Sequence, residues 1–295
     1  MPFTDIRFDL VNRMPPEWQP YALLARWDRP IGTWLLLLPC WWSISLAPGL
    51  PSLWLLFLFA IGAVVMRGAG CTLNDILDRD LDSQVERTRS RPLPSGAVTL
   101  RQASIWLVVQ LGIGLVILLQ LPPLAIAFGV ASLVLVGTYP LMKRITWWPH
   151  FFLGLTFNWG IPLGAAATNT LSWTTLTLYL SAIAWTLVYD TIYAHQDKED
   201  DARIGVKSTA RLFGARSRSV LIAFAVLAGA GLLLTGWLSA LGWGFYLGLG
   251  AAALQMTWQL ATWQPDVPED CLRKFRSNRD LGFLVLVAFL LGKLA

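Results

Sequence analysis

Residues 30–66 read PIGTWLLLLPCWWSISLAPGLPSLWLLFLFAIGAVVM, a stretch without a single Asp, Glu, Lys or Arg. A bilayer-spanning helix needs roughly 20 apolar residues, so a run of this length holds two. Pro48-Gly49-Leu50-Pro51 breaks it near its middle. The pattern recurs over 102–142, 145–189 and 219–265, broken at Pro122-Pro123, at Thr168-Asn169-Thr170 and between Gly236 and Gly244. These pairs give eight spans. A shorter apolar run over 281–291 makes a ninth, with Asn278 to Asp280 entering its first turn. The predicted architecture is all-α: a polytopic membrane protein of nine transmembrane helices, one domain over 1–295.

Composition agrees. Of 295 residues, 55% are hydrophobic and 14% charged, where a soluble domain averages about 25% charged. Mean hydropathy is +0.55. These values exclude a soluble enzyme, a disordered chain and a nucleic-acid module. The polar arm over 1–30 carries no apolar core of a cleaved signal peptide, and residues 18–27 suit a short interfacial helix. Cys40, Cys71 and Cys271 are too far apart for a Cys-x-x-Cys metal site and read as buried small residues. Most of the 16 Trp, among them Trp41, Trp42, Trp147 and Trp148, fall where spans end and read as belt residues.

Charge placement sets the orientation. Of the 23 Lys and Arg, all but Arg67 and Lys293 lie in the arm or in the connections after spans 2, 4, 6 and 8. By the positive-inside rule that side is cytoplasmic and the C-terminus lies outside. The basic pI of about 9.3 thus reflects topology and needs no nucleic-acid partner.

All 18 acids fall on the same side, which that rule does not require. Ten of them gather at the ends of spans 2 and 6, in NDILDRDLD (74–82) with Glu86, and in DTIYAHQDKEDD (190–201). At about 100° per residue, Asn74, Asp78 and Asp82 drift by only about 80° and share one helical face. Asp197 and Asp201 are likewise one turn apart. Solvated helix ends with local pairs such as Asp78–Arg79 are the plain alternative, but like charges at i, i+4 repel. Carboxylates at the bilayer edge usually mark a functional path. Hard oxygen ligands without His or Cys suit Mg²⁺ shared with a phosphate substrate. Each cluster runs into a basic segment with hydroxyls and glycine, RTRSRPLPSG (87–96) and IGVKSTARLFG (204–214), suited to phosphate oxygens. The two cap segments, 74–102 and 196–218, would form one cytoplasmic cap.

Arg67 lies seven residues before Asn74, two turns deeper and nearly on its azimuth. One reading is a buried ion pair with Asp75 or Asp190. The other is a guanidinium that grips a substrate carboxylate beneath the metal site. An ion-coupled transporter with an acid relay is a rival for the whole pattern, although transporter sites tend to lie near the midplane.

These motifs carry a resemblance. ARWDRPIGTWLLLLPCWW (25–42), NDILDRDLDSQVERTRSRPLPSG (74–96), TYPLMKR (138–144) and DTIYAHQDKEDDARIGVKSTARLFG (190–214) resemble the UbiA superfamily of intramembrane prenyltransferases, most closely its 4-hydroxybenzoate branch. The resemblance implies nine helices around a central cavity under the cap. It implies two Mg²⁺ ions, held by Asn74, Asp78 and Asp82 and by Asp197 and Asp201. Arg87, Arg91, Tyr139 and Lys143 match positions that contact the diphosphate of a polyprenyl donor, and Lys207 joins them from the second basic segment. Arg67 matches the residue that meets the carboxylate of 4-hydroxybenzoate. Asp75 and Asp190 are candidates for supporting or proton-handling roles. The implied reaction joins the prenyl group to the ring carbon ortho to the hydroxyl, in ubiquinone biosynthesis. Naphthoate, haem or a chlorophyll precursor remain alternative acceptors. The expected location is a bacterial inner (cytoplasmic) membrane.

Overall fold

A computed structural model of the chain describes residues 11–84 and 88–294, and every regular element among them is helical. A short α1 (Gln19–Leu24) in the arm leads to α2 (Ile31–Leu46) and the long α3 (Leu53–Asp82). Then come α4 (Leu100–Leu118), α5 (Pro123–Ile145), α6 (Pro149–Phe157), α7 (Gly160–Ala167) and α8 (Trp173–Ala194). Short helices α9 (Lys198–Ile204) and α10 (Thr209–Phe213) precede α11 (Ser217–Leu238), α12 (Trp243–Thr262) and α13 (Pro268–Leu294). Among the described residues, four segments are long and apolar enough to cross a membrane: Leu53–Asp80, Leu100–Leu118, Pro123–Ile145 and Thr209–Leu238. Large apolar side chains such as Val116, Val134, Val226, Leu247 and Leu254 are exposed, a pattern that suits lipid and not water.

The breaks within the charge-free runs have local causes. Gly49, between α2 and α3, takes the left-handed φ of +75°, open to glycine without strain. One break lies outside the sequence expectation: the fifth predicted span is two helices, parted at Asn158 and Trp159. Pro162 lacks the N–H that would bond the Asn158 carbonyl, and its ring crowds that position. The first predicted cap loop also begins as helix, since α3 runs unbroken through Asp82.

The chain divides into two compact units. One comprises the described residues up to Trp34 together with Phe57–Leu121. In it Leu24, Leu93, Val98 and Ala103 form a buried cluster with Tyr21, Ile76 and Trp106 packed against it. The arm is thereby fixed to the end of α3 and the start of α4. Deeper in the unit, Thr72 donates to Gln110 Oε1 at 3.1 Å, so the buried amide of α4 has a partner from α3.

The other unit comprises Leu35–Leu56 and Pro122–Ala295. Its centre is α8, buried continuously from Ser181 to Tyr189, as expected of a helix that is apolar all round. Small residues bring its neighbours close. Gly231 of α11 lies over Ser181, and Gly248 of α12 over Ala288 of α13. Trp42 departs from the belt reading. It is buried, 5.1 Å from the Trp185 ring, because its indole N–H finds the Gly282 carbonyl at 2.9 Å. Cys40, Cys71 and Cys271 are buried free thiols.

Gly160 permits the closest approach of α7 to α2: an added Cβ would stand 2.1 Å from Cys40 Sγ. Gly160→Ala is expected to destabilise the protein by about 1–3 kcal/mol. Adding Cys40→Ala should restore much of that loss in detergent-solubilised thermal unfolding. Additive effects of the two changes would contradict the packing.

Candidate functional site

The length of α3 places its polar residues. At 1.5 Å per residue, Asn74 stands about 32 Å and Arg67 about 21 Å along the helix from Leu53. The hydrocarbon core is about 30 Å thick, so a helix entering it near Leu53 carries Asn74 to Asp82 out at the far edge and leaves Arg67 within. Asn74 is half-buried, whereas Asp78 and Asp82 are buried.

Asp75 is wholly buried. Arg26 Nη2 donates to both its oxygens, at 2.7 and 2.9 Å. Arg91 Nη1 donates to Asp75 Oδ1 at 3.2 Å and to Asp82 Oδ2 at 2.6 Å. Burial pushes the Asp82 carboxyl above its ordinary range; Arg91 pulls it back, while Asp75 and Asp78 push it further up. Arg26 has a left-handed φ of 57°, a strained conformation for a side chain of this size. Its guanidinium is anchored at both ends, to Asp75 and by Nη1 to the Leu23 carbonyl at 2.8 Å. Nothing in the sequence reading marked Arg26 as the partner of Asp75. Arg67 is half-buried and lies against Gly32, where an added Cβ would come within 2.4 Å of its Nε. Arg87 lies outside the described residues.

In the second unit, Asp190 lies near the C-terminal end of α8, with His150 Nε2 3.5 Å from its Oδ2. Asp197 and Asp201 lie at the start of α9. Burial first, and then the charge of Asp197, pushes the Asp201 carboxyl up to about 6 against the pull of Lys143, Ser208 and Arg211. Tyr139 and Lys143 occupy the last two turns of α5. The Lys207 backbone N–H donates to the Lys143 carbonyl at 3.0 Å, and Lys207 Nζ to the Ile145 carbonyl at 2.9 Å. The second basic segment is therefore docked on the C-terminal end of α5, where a cation also meets the helix dipole. Arg211 donates to the Asp201 and Val206 carbonyls and shapes that segment from within.

Among the described residues no three His, Cys, Asp or Glu side chains converge as a closed metal site. Mg²⁺ is usually held by one or two carboxylates completed by water and substrate phosphates. The mutual repulsion of Asp197 and Asp201 is what a hard cation would relieve, and the donors are all oxygen. The residues present fit such an ion.

The UbiA prenyltransferase family model matches residues 36–287. The chain is 50% identical over 285 residues to the mitochondrial 4-hydroxybenzoate polyprenyltransferase of Arabidopsis thaliana, covering 95% of this chain and 70% of that protein. It is 50% identical over 290 residues to the Bos taurus protein of the same name, covering 97% and 78%. Among solved structures it resembles the apo structure of a UbiA homolog from Aeropyrum pernix K1, with a TM-score of 0.70, 23% identity, and coverage of 89% and 96%. It also resembles a UbiA homolog from Archaeoglobus fulgidus bound to GPP and Mg²⁺, with a TM-score of 0.68, 18% identity, and coverage of 90% and 99%. These two likenesses show the fold. The relatives are named as mitochondrial, which overturns the bacterial inner membrane expected from the sequence. The physical reason is that loop charge identifies a face of a bilayer, not which bilayer it is.

Removing one partner of a buried ion pair typically costs about 3–5 kcal/mol. Arg26→Met should therefore lower the thermal midpoint of the solubilised protein sharply, and Arg26→Met with Asp75→Asn should lower it less than the sum of the two. A small effect of Arg26→Met would contradict the clamp.

Proposed function

The chain belongs to the UbiA prenyltransferase family, and on that premise we propose that it transfers a polyprenyl group from a polyprenyl diphosphate to 4-hydroxybenzoate. The new bond forms at the ring carbon ortho to the hydroxyl, and diphosphate leaves. Identity near 50% along almost the whole chain to enzymes named for this acceptor carries the choice. In the site, Arg67 supports it: a cation recessed about 10 Å below Asn74 and about 16 Å below Asp78 along α3 suits a small aromatic acid lying deeper than the diphosphate.

Asn74, Asp78 and Asp82 would hold one Mg²⁺ ion, and Asp197 and Asp201 a second. When bound, these ions would neutralise the charge that develops on the departing diphosphate. Arg87, Arg91, Tyr139, Lys143 and Lys207 supply cations and a phenol for the diphosphate oxygens. Asp75, held between two guanidiniums, suits orienting Arg91 better than taking a proton. Asp190 is the acid we assign to the proton lost from the ring. The apolar helices leave the donor's hydrocarbon tail in lipid and keep water from the reacting carbon. As spans we assign α2, α3, α4, α5, the α6–α7 pair, α8, α11, α12 and the second half of α13, nine in one domain.

Membranes bearing the chain, given labelled 4-hydroxybenzoate, a polyprenyl diphosphate and Mg²⁺, should form prenylated product that EDTA abolishes. Asp78→Ala and Asp197→Ala should each lose it while the protein stays in the membrane; near-normal turnover in either would contradict the metal assignment. Arg67→Ala removes a charge-assisted contact and should raise KM for 4-hydroxybenzoate by about 10–100-fold, with donor KM little changed. Gly32→Ala should do the same more weakly at nearly unchanged stability, since the crowded group is a flexible side-chain end. Equal effects of Arg67→Ala on both substrates would contradict the acceptor role.

A further inference from the structure

A run of polar contacts leads from Thr191 through Thr209 and His150 to Asp190. His150 is the second residue of α6, Thr191 follows Asp190 on α8, and Thr209 opens α10. All three are buried and belong to the same compact unit. The Thr209 backbone N–H points to His150 Nδ1 at 3.4 Å, and the Thr209 hydroxyl lies 2.8 Å from the same nitrogen. A backbone N–H can only donate, so Nδ1 is the acceptor. A neutral imidazole whose Nδ1 accepts carries its proton on Nε2. That is the nitrogen facing Asp190 Oδ2 at 3.5 Å, a long contact of the kind that tightens when substrate binds. The Thr209 hydroxyl is itself fixed by Thr191 Oγ1 at 2.6 Å, so the tautomer is set by two groups that have little freedom to turn.

We infer that His150 is a positioning residue for Asp190: Thr209 fixes its tautomer, and its Nε2–H holds the Asp190 carboxylate in the orientation that receives the ring proton. This rests on the reading of Asp190 under Proposed function. The proton leaves the substituted ring carbon for the Asp190 carboxylate, the C–H electron pair restores the aromatic ring, and His150 keeps its own proton throughout. Thr209 stands two residues after Lys207, so the segment that brings cations to the diphosphate also sets the group behind the base. An amide N–H can replace Nε2–H in this role, whereas a hydrocarbon ring cannot.

The test uses the full chain in membranes, with 4-hydroxybenzoate either unlabelled or deuterated on the ring. Asp190→Asn should lower kcat by on the order of 100-fold or more. His150→Phe should lower kcat by about 10–100-fold with both KM values nearly unchanged, and should raise the ring-deuterium isotope effect because proton loss becomes slower. His150→Gln should recover most of the turnover and return the isotope effect to its parental value. Thr209→Val should shift both quantities in the direction of His150→Phe. A loss in Asp190→Asn without a change of kcat or isotope effect in His150→Phe overturns this inference and leaves Asp190 in place. Undiminished turnover in Asp190→Asn overturns the role of Asp190 itself. If His150→Phe fails to accumulate, Thr209→Val decides, and an unchanged isotope effect there overturns the inference.

Discussion

A carboxylate sealed at the end of an apolar helix must be matched by cations, and Asp75 meets that demand with two guanidiniums. Arg26 covers both of its oxygens and Arg91 shares one of them. Leaving such a charge unpaired costs several kcal/mol, enough to hold Arg26 in a left-handed backbone conformation. The arm must then lie against α3, where Leu24 and Tyr21 complete a cluster with Leu93, Val98, Ile76 and Trp106. Arg91, already committed to Asp75, also reaches Asp82. In the first Asp motif Arg26 and Arg91 thus hold Asp75 and Asp82 in place.

In the second unit the same problem is solved differently. Asp197 and Asp201 repel, and Asp201 is held well above the ordinary carboxylate range despite Lys143 and Arg211 nearby. The basic segment that follows docks by backbone hydrogen bonding, from Lys207 to the end of α5. Two arginines thus arrange the carboxylates of one motif while those of the other repel each other, and in both the donors are oxygens that a hard divalent cation and a diphosphate would jointly satisfy.

Much of this was legible in the sequence, because absent charges and helical spacing are one-dimensional signals. The charge-free runs marked the apolar helices and the proline and glycine breaks between them. Spacing at i, i+4 and i+8 put Asn74, Asp78 and Asp82 on one face. What escaped depends on contacts between residues far apart in the chain. Arg26 sits 49 positions from Asp75, and no periodicity links them. His150 reads as an isolated histidine until Thr209 and Asp190 are brought to its two nitrogens. Trp42 looked like an interfacial residue because the carbonyl that accepts its N–H belongs to Gly282. The split of the fifth span at Asn158 had a local signal in Pro162, four residues on. The membrane itself had none, since charge asymmetry looks alike in any bilayer.

On this reading the acids of the two Asp motifs serve a diphosphate only through a divalent cation. The most direct measurement is calorimetric titration of the purified, solubilised protein with a prenyl diphosphate, with Mg²⁺ and then with EDTA. Saturable binding that requires Mg²⁺ is the predicted result. Equal binding without the metal, or none under either condition, would contradict the account.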